Sequence, residues 1–264
     1  MNLKFQEFQK ATLGLQELDN IRVKNFEKFK IQGFPTKRQE HWKYSDLKTI
    51  ISNNFTKLQI YNEKNSLKYN SKFLIKNFEH NSIILLNGNF CESNFSYENQ
   101  KKIQIKSLKD ALKNKNDFEK IKNYFNDDQN SMISLNHALV NDGIILEVDD
   151  NYSLNKPLII YNFFNEMADN KIINNKVFIS LGNESKLILV DYYKCENNIK
   201  YFNNSIHNYT IKKNAIFKKF NINATLENSY NYNSTKVKNY SNSIFENFLL
   251  SLGPNFIKNE IHCN

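Results

Sequence analysis

Glycine and proline are scarce in this chain of 264 residues, which holds six of the first and three of the second. The glycines Gly14, Gly33, Gly88, Gly143, Gly182 and Gly253 never come closer than 19 positions to one another. A P-loop or a dinucleotide fingerprint needs glycines a few residues apart, so that backbone amides can close on phosphate. Both classes are excluded. Cysteine is limited to Cys91, Cys195 and Cys263, an odd number at spacings that match no zinc or redox motif. Three reduced thiols in a cytoplasmic protein are the simplest reading. The five histidines are at least 39 positions apart, so no His-Glu-x-x-His helix and no local metal pair exists. No apolar run approaches the ~18 residues of a membrane span. The first residues, Met1 to Phe8, lack the apolar region of a secretory signal.

What is present argues for a folded body. Hydrophobic residues make up 40% of the chain and aromatic residues 14%, almost all Phe and Tyr, with Trp42 the single tryptophan. Apolar residues reach every segment, which excludes a disordered chain. The net charge of +9 comes from lysines spread among asparagines, with pairs such as Lys212-Lys213 and Lys218-Lys219 but no run of five like charges. That distribution describes a solvated surface better than a nucleic-acid track. Basic residues do alternate with aromatics between Tyr209 and Phe220, as in single-strand binders. Their spacing also fits strand alternation, which favours core packing.

The chain changes period near residue 140. Residues 3 to 31 read as helical, with Phe5 and Phe8 on one face and Leu18, Ile21, Phe26 and Phe29 further on. Ile83 to Leu86 before Asn87-Gly88-Asn89 reads as a buried strand entering a turn, and Ile103 with Ile105 as another short strand. Ser107 caps a short helix, and Met132, Leu135 and Leu139 mark one more. After Gly143 come short strand runs: Ile144 to Val148, Leu158 to Tyr161, Val177 to Ser180 and Leu187 to Tyr192. Ile216, Lys218, Phe220, Ile222 and Ala224 then share a face, as do Ile244, Glu246, Phe248 and Leu250. Many short strands without helices suggest a sandwich, a barrel or a β-solenoid, and no strict repeat chooses among them. Asn is abundant at the turns, where it tolerates left-handed backbone. The expected division is a mainly helical region over 1–140 with a few short strands, and a β-rich region over 141–264.

The most distinctive stretch is Gly33-Phe-Pro-Thr-Lys-Arg-Gln-Glu-His-Trp-Lys-Tyr-Ser-Asp-Leu47. Gly33 suits a helix C-terminus and Pro35 prevents continuation. Thr36 with Gln39 fits a capping box, Ser45 or Asp46 can cap a helix running to about Ile51, and Trp42 with Tyr44 supplies an aromatic anchor. This corner is similar to the N-terminal signature of SufD, in the SufB/SufD family of iron–sulfur cluster assembly scaffolds. A second segment agrees: Leu135-Asn136-His137-Ala138, then Asp142-Gly143 and the apolar run Ile144 to Val148, then Pro157-Leu158-Ile159-Ile160. Asp149-Asp150, where the family often has proline, departs from the pattern.

The resemblance implies a mixed α and β fold, with an N-terminal helical region followed by a right-handed parallel β-helix. It implies a non-enzymatic scaffold that pairs with SufB and works with the SufC ATPase. The Fe–S cluster would be held transiently, chiefly by SufB and the pair interface. Family members run much longer, through further β-helix turns and a C-terminal helical domain that docks SufC. The β-helix is therefore expected to be incomplete here, with no SufC-docking helices, an exposed strand edge and poor solubility of the isolated chain. No family site residue carries over to a position of this sequence.

The residues themselves suggest no catalytic group and no metal site. His41 and His137 read as structural. His207 lies on a strand-like run and could face either way. His262 and Cys263, with Glu260 close by, would make an iron site only if they shared a face, and strand alternation points them apart. Asp142 reads as a turn carboxylate bonding nearby amides. Two other function classes stay open: a β-helix enzyme that assembles paired carboxylates from distant turns to act on polysaccharide, and a basic nucleic-acid-binding module.

Overall fold

The computed structural model of the chain describes residues 15–62, 68–125 and 130–264. Among the described residues, five α-helices occupy α1 (Gln16–Gln32), α2 (Leu47–Asn54), α3 (Leu108–Ala111), α4 (Lys115–Ile121) and α5 (Ser131–Leu139). The strands are β1 (Gln59–Ile60), β2 (Asn81–Leu86), β3 (Asn89–Asn94), β4 (Ile103–Ser107), β5 (Asp142–Val148), β6 (Leu158–Phe164) and β7 (Lys171–Leu181). They continue as β8 (Lys186–Cys195), β9 (Tyr201–Ile211), β10 (Ile216–Asn223), β11 (Ser229–Asn239), β12 (Ile244–Ser251) and β13 (Phe256–Cys263).

From β6 onward the chain winds as a parallel β-solenoid of about four turns. Each turn lays one strand in a sheet ordered β12-β10-β8-β6-β2-β3 and the next in a facing sheet ordered β13-β11-β9-β7-β5-β4. Stacked residues are 26 to 31 positions apart, as in Tyr230 on Phe256 and Leu158 on Leu189. A period that drifts this much leaves no repeat in the sequence. The corners use asparagine as expected. Among the described residues, six of the seven non-glycine residues with positive φ are Asn, including Asn151, Asn214 and Asn242, and the seventh is Glu184. One corner column is held by Asn151 N–H on the Asn183 carbonyl, Glu184 N–H on Lys213 and Asn214 N–H on Ser241.

The two ends of the solenoid differ. At the first end the hairpin β2–β3 and the antiparallel pair β4–β5 terminate both sheets. At the last, β12 and β13 are each paired on one side only.

The N-terminal segments cover the outer face of the β7–β9–β11–β13 sheet. Gly33, at φ 67, ends α1 with its N–H on the Phe29 carbonyl. Residues 1–14, with Phe5 and Phe8, lie outside the described residues. Thr36 does not open a capping box. Its hydroxyl accepts the N–H of Arg38, two residues on, and the next short turn begins at Glu40. Asp46, not Ser45, caps α2 by accepting the Thr49 N–H at 2.9 Å. Trp42 is buried and stacks on Tyr232 of β11 at 5.6 Å. Tyr44 is 87% exposed and anchors nothing, because the tight turn sends it away from Trp42.

The second motif has a mechanical explanation. Every residue of α5 is buried. Asn136 donates from its amide to the carbonyls of Asn175 and Asn204, at 3.0 and 2.8 Å, and so ties the helix to β7 and β9. Gly143 has φ 145, and a Cβ there would lie 1.8 Å from the Lys176 carbonyl oxygen. Only glycine lets β5 and β7 approach so closely. Asp142 is not a local turn carboxylate. It begins β5 and accepts the N–H of Phe90, the N–H of Lys109 and the hydroxyl of Ser107 at 2.9 to 3.0 Å, closing contacts across 33 to 52 residues.

Candidate functional site

Half of the solenoid interior is apolar, built from residues such as Ile144, Leu146, Ile160, Ile179, Leu189 and Phe217. The other half carries a polar cluster. Asp191 on β8 accepts from the Asn162 amide at 2.7 Å, the Tyr193 hydroxyl at 3.2 Å and the Lys219 ammonium at 3.2 Å. Lys219 Nζ also lies 3.4 Å from Nδ1 of His207, whose Nε2 is 2.8 Å from the Ser205 hydroxyl. An ammonium can only donate. Nδ1 is therefore an acceptor, and the imidazole proton sits on Nε2, facing Ser205. Burial, with the Lys219 charge, lowers the His207 pKa to about 3, so the ring is neutral. Burial also lowers Lys219, against the pull of Asp191.

Ser205, His207 and Asp191 are the residue types of a hydrolase triad, but they do not form one. The His207 Nδ1 to Asp191 distance is 3.8 Å, and Nδ1 is engaged by the Tyr209 hydroxyl at 2.7 Å. All three residues are sealed inside the solenoid, where no substrate can reach Ser205. The cluster staples successive turns together. Ion pairs of this kind specify register better than they add stability.

The last described turn, β12 and β13, differs from the earlier ones. Inward positions that are fully enclosed in earlier turns become exposed there. Asp191 and Asn221 are buried, while Leu249, next in the same row, is 42% exposed.

Beside this turn, one network binds the Trp42 corner to β13. Lys258 Nζ donates to the His41 carbonyl at 2.7 Å, stands 4.7 Å from the Trp42 ring centroid and lies 3.2 Å from Glu260 Oε1. Glu260 Oε2 accepts from the Tyr232 hydroxyl at 2.6 Å and the Asn130 amide at 3.1 Å. A cleft of about 770 Å³ opens here, lined by His41, Trp42, Lys236, Lys258, Glu260 and His262.

The structure thus brings His41, Glu260 and His262 to one cleft. Cys263 shares a row with Val237 of the solenoid interior, on the opposite face of β13 from His262. Cys195 is buried, with its thiol on the Asn197 carbonyl, and burial pushes its pKa up. Cys91 lies on β3, where burial raises its thiol to about 12. Among the described residues no group of three or more His, Cys, Asp and Glu side chains could hold a metal ion. His137 is buried against Phe125, and burial keeps its pKa well below the usual value. His80 bridges the Phe78 carbonyl and the Tyr161 hydroxyl. The interior cluster escaped the sequence reading, although Lys219, alternating with Phe217 and Asn221 on a strand, was a signal that an inward face could be polar.

No helix among the described residues is long and apolar enough to cross a membrane. No curated protein matches the chain. A family profile, the SufBD protein N-terminal region, matches residues 6–160. That span contains the Trp42 corner, the α5 helix that Asn136 fastens to the sheets, and the close approach at Gly143. With the β-solenoid that follows, these features place the chain in the SufB/SufD family.

Proposed function

We propose that this chain is a non-catalytic scaffold subunit of a SUF-type iron–sulfur cluster assembly complex in the cytoplasm. Its N-terminal helices brace the solenoid, which would pair with a homologous, SufB-like scaffold. A SufC-like ATPase would drive changes in that pair, and the Fe–S cluster would be cargo held transiently at the joint. The observation that carries the reading is the match of residues 6–160 to the SufBD N-terminal region, continued by a parallel β-solenoid.

The test is co-expression with SufB-like and SufC-like proteins from the same source, followed by tagged recovery and mass determination. Recovery with the SufB-like protein supports the reading. Recovery with neither protein rejects it.

A further inference from the structure

The chain covers its apolar outer sheet faces with its own segments, with one exception. Helices α1, α2 and α5 and the Trp42 corner lie on the β7–β9–β11 face through Phe26, Ile51, Leu135 and Trp42. Tyr69, Phe73 and Leu74 cover Ile159, Tyr161 and Phe163 of β6. Among the described residues, Val190 and Tyr192 of β8 are half-buried at the border of that cover, while the outward positions of β10 and β12 and Ile188 of β8 remain uncovered. They form rows across the sheet: Val190–Phe220–Phe248 and Tyr192–Ile222–Leu250. Phe248 is 53% exposed, and it pairs only with Phe220, at 6.1 Å, which is itself 39% exposed. A contiguous apolar surface of this kind marks an interaction site.

The start of the same strands is cationic. A cleft of about 360 Å³ is lined there by Pro157, Ile188 and Ile216 together with Lys156, Lys186 and Lys218. Lys156 pairs with Glu79 and Lys218 with Glu246, while no ion pair of Lys186 is found among the described residues.

We propose that the outer face of β8–β10–β12 is the docking site for an amphipathic helix of a partner protein. The helix would lay an apolar ridge along Phe220 and Phe248 and an acidic flank on Lys186. The same molecule shows how such a face is closed, since helices cover the opposite sheet. Charge complementarity selects the acidic flank. It also disfavours a second copy of this chain, which would bring lysines against lysines on a molecule of net charge +9. The cleft favours a ridge of side chains over a flat bilayer. This inference does not depend on the scaffold pairing, which could fail while it still holds.

The test uses the full chain and a fluorescent helical peptide with one leucine face flanked by glutamates. Controls are the scrambled sequence and a version flanked by lysines. The leucine–glutamate helix is expected to bind and to slow amide exchange in β8, β10 and β12. A Lys186→Glu, Lys218→Glu variant is expected to weaken it about tenfold and to favour the lysine-flanked helix. Phe248→Ser tests the apolar ridge, with circular dichroism confirming the fold. Equal binding of the scrambled peptide, or protection elsewhere, overturns the proposal. So does dimerisation that Phe248→Ser abolishes, or binding to phosphatidylglycerol vesicles without binding to the helix.

Discussion

The ammonium of Lys219 on β10 lies 3.2 Å from the carboxylate of Asp191 on β8, inside a solenoid that shields both from solvent. Each charge is tolerated because the other is present. Lys219→Met leaves Asp191 with the Asn162 and Tyr193 donors but no counter-charge. Asp191→Asn leaves a buried ammonium beside a neutral imidazole. Each single change is expected to cost about 3–5 kcal/mol. The double change Asp191→Leu, Lys219→Met is expected to recover most of that loss, because it removes both desolvated charges. Urea denaturation of the four proteins measures the coupling. Additive losses would mean that the pair does not interact as the geometry requires.

His207 makes the fold sensitive to acid. Its pKa is lowered to about 3 by burial and by Lys219, against an opposing pull from Asp191, whereas an unfolded histidine titrates near 6.5. Between those values the unfolded chain binds a proton that the folded chain refuses. Stability therefore rises with pH through that window. The contribution is fully present above about pH 6.5 and is lost as pH falls toward 3. Denaturation midpoints from pH 7 to pH 4 are expected to fall, and to fall less in His207→Asn. An unchanged slope in the variant would show that the acid sensitivity belongs to other groups.

The legible parts of the fold were those written in local chemistry. Gly33 ends α1, Ser107 caps α3, and Asn87-Gly88 turns β2 into β3, each by contacts within a few residues. Strands β9 and β11 were not legible, because their inward positions carry Asn203, Ser205, His207, Asn231 and Asn233 rather than an apolar alternation. In β10 and β12 the alternation is clear but faces outward: Ile216, Phe220 and Ile222 point away from a core side made of Phe217, Lys219, Asn221 and Asn223. A polar interior inverts the usual sign of the pattern. The interior cluster could not be found by motif either, since the solenoid assembles it from one or two residues per turn.

Gly143 is a position where the backbone admits no side chain. Its φ of 145 and the 1.8 Å gap between a built Cβ and the Lys176 carbonyl oxygen leave Ala two strained choices. It must distort β5, or push β7 away and lose the pairing of Ile144 with Val177. Gly143→Ala is expected to cost about 3 kcal/mol or more and to lower soluble yield. The comparison is Gly33→Ala, where nothing lies within 4 Å of the built Cβ and only the positive φ is penalised. Thermal melts of the two variants should differ markedly. Equal losses would mean that the close approach at β7 does not constrain the fold.

Trp42 offers a direct readout of the clasp that holds the corner to the last turn. As the single tryptophan, 3% exposed and set between Tyr232 and Lys258, it should emit in the blue and shift red only when the corner leaves β11 and β13. Glu260→Gln keeps the side-chain size but removes the charge facing Lys258 and weakens the acceptor shared by Tyr232 and Asn130. The expected loss is about 1–3 kcal/mol, concentrated in this region. Tryptophan emission should then change at lower urea than far-ultraviolet circular dichroism, whereas the two probes coincide in the unmodified chain. That separation would identify the corner and the last turn as one cooperative unit that opens before the solenoid. Coincident transitions in Glu260→Gln would show that the clasp has no independent stability and that the Trp42 corner unfolds only with the whole sheet.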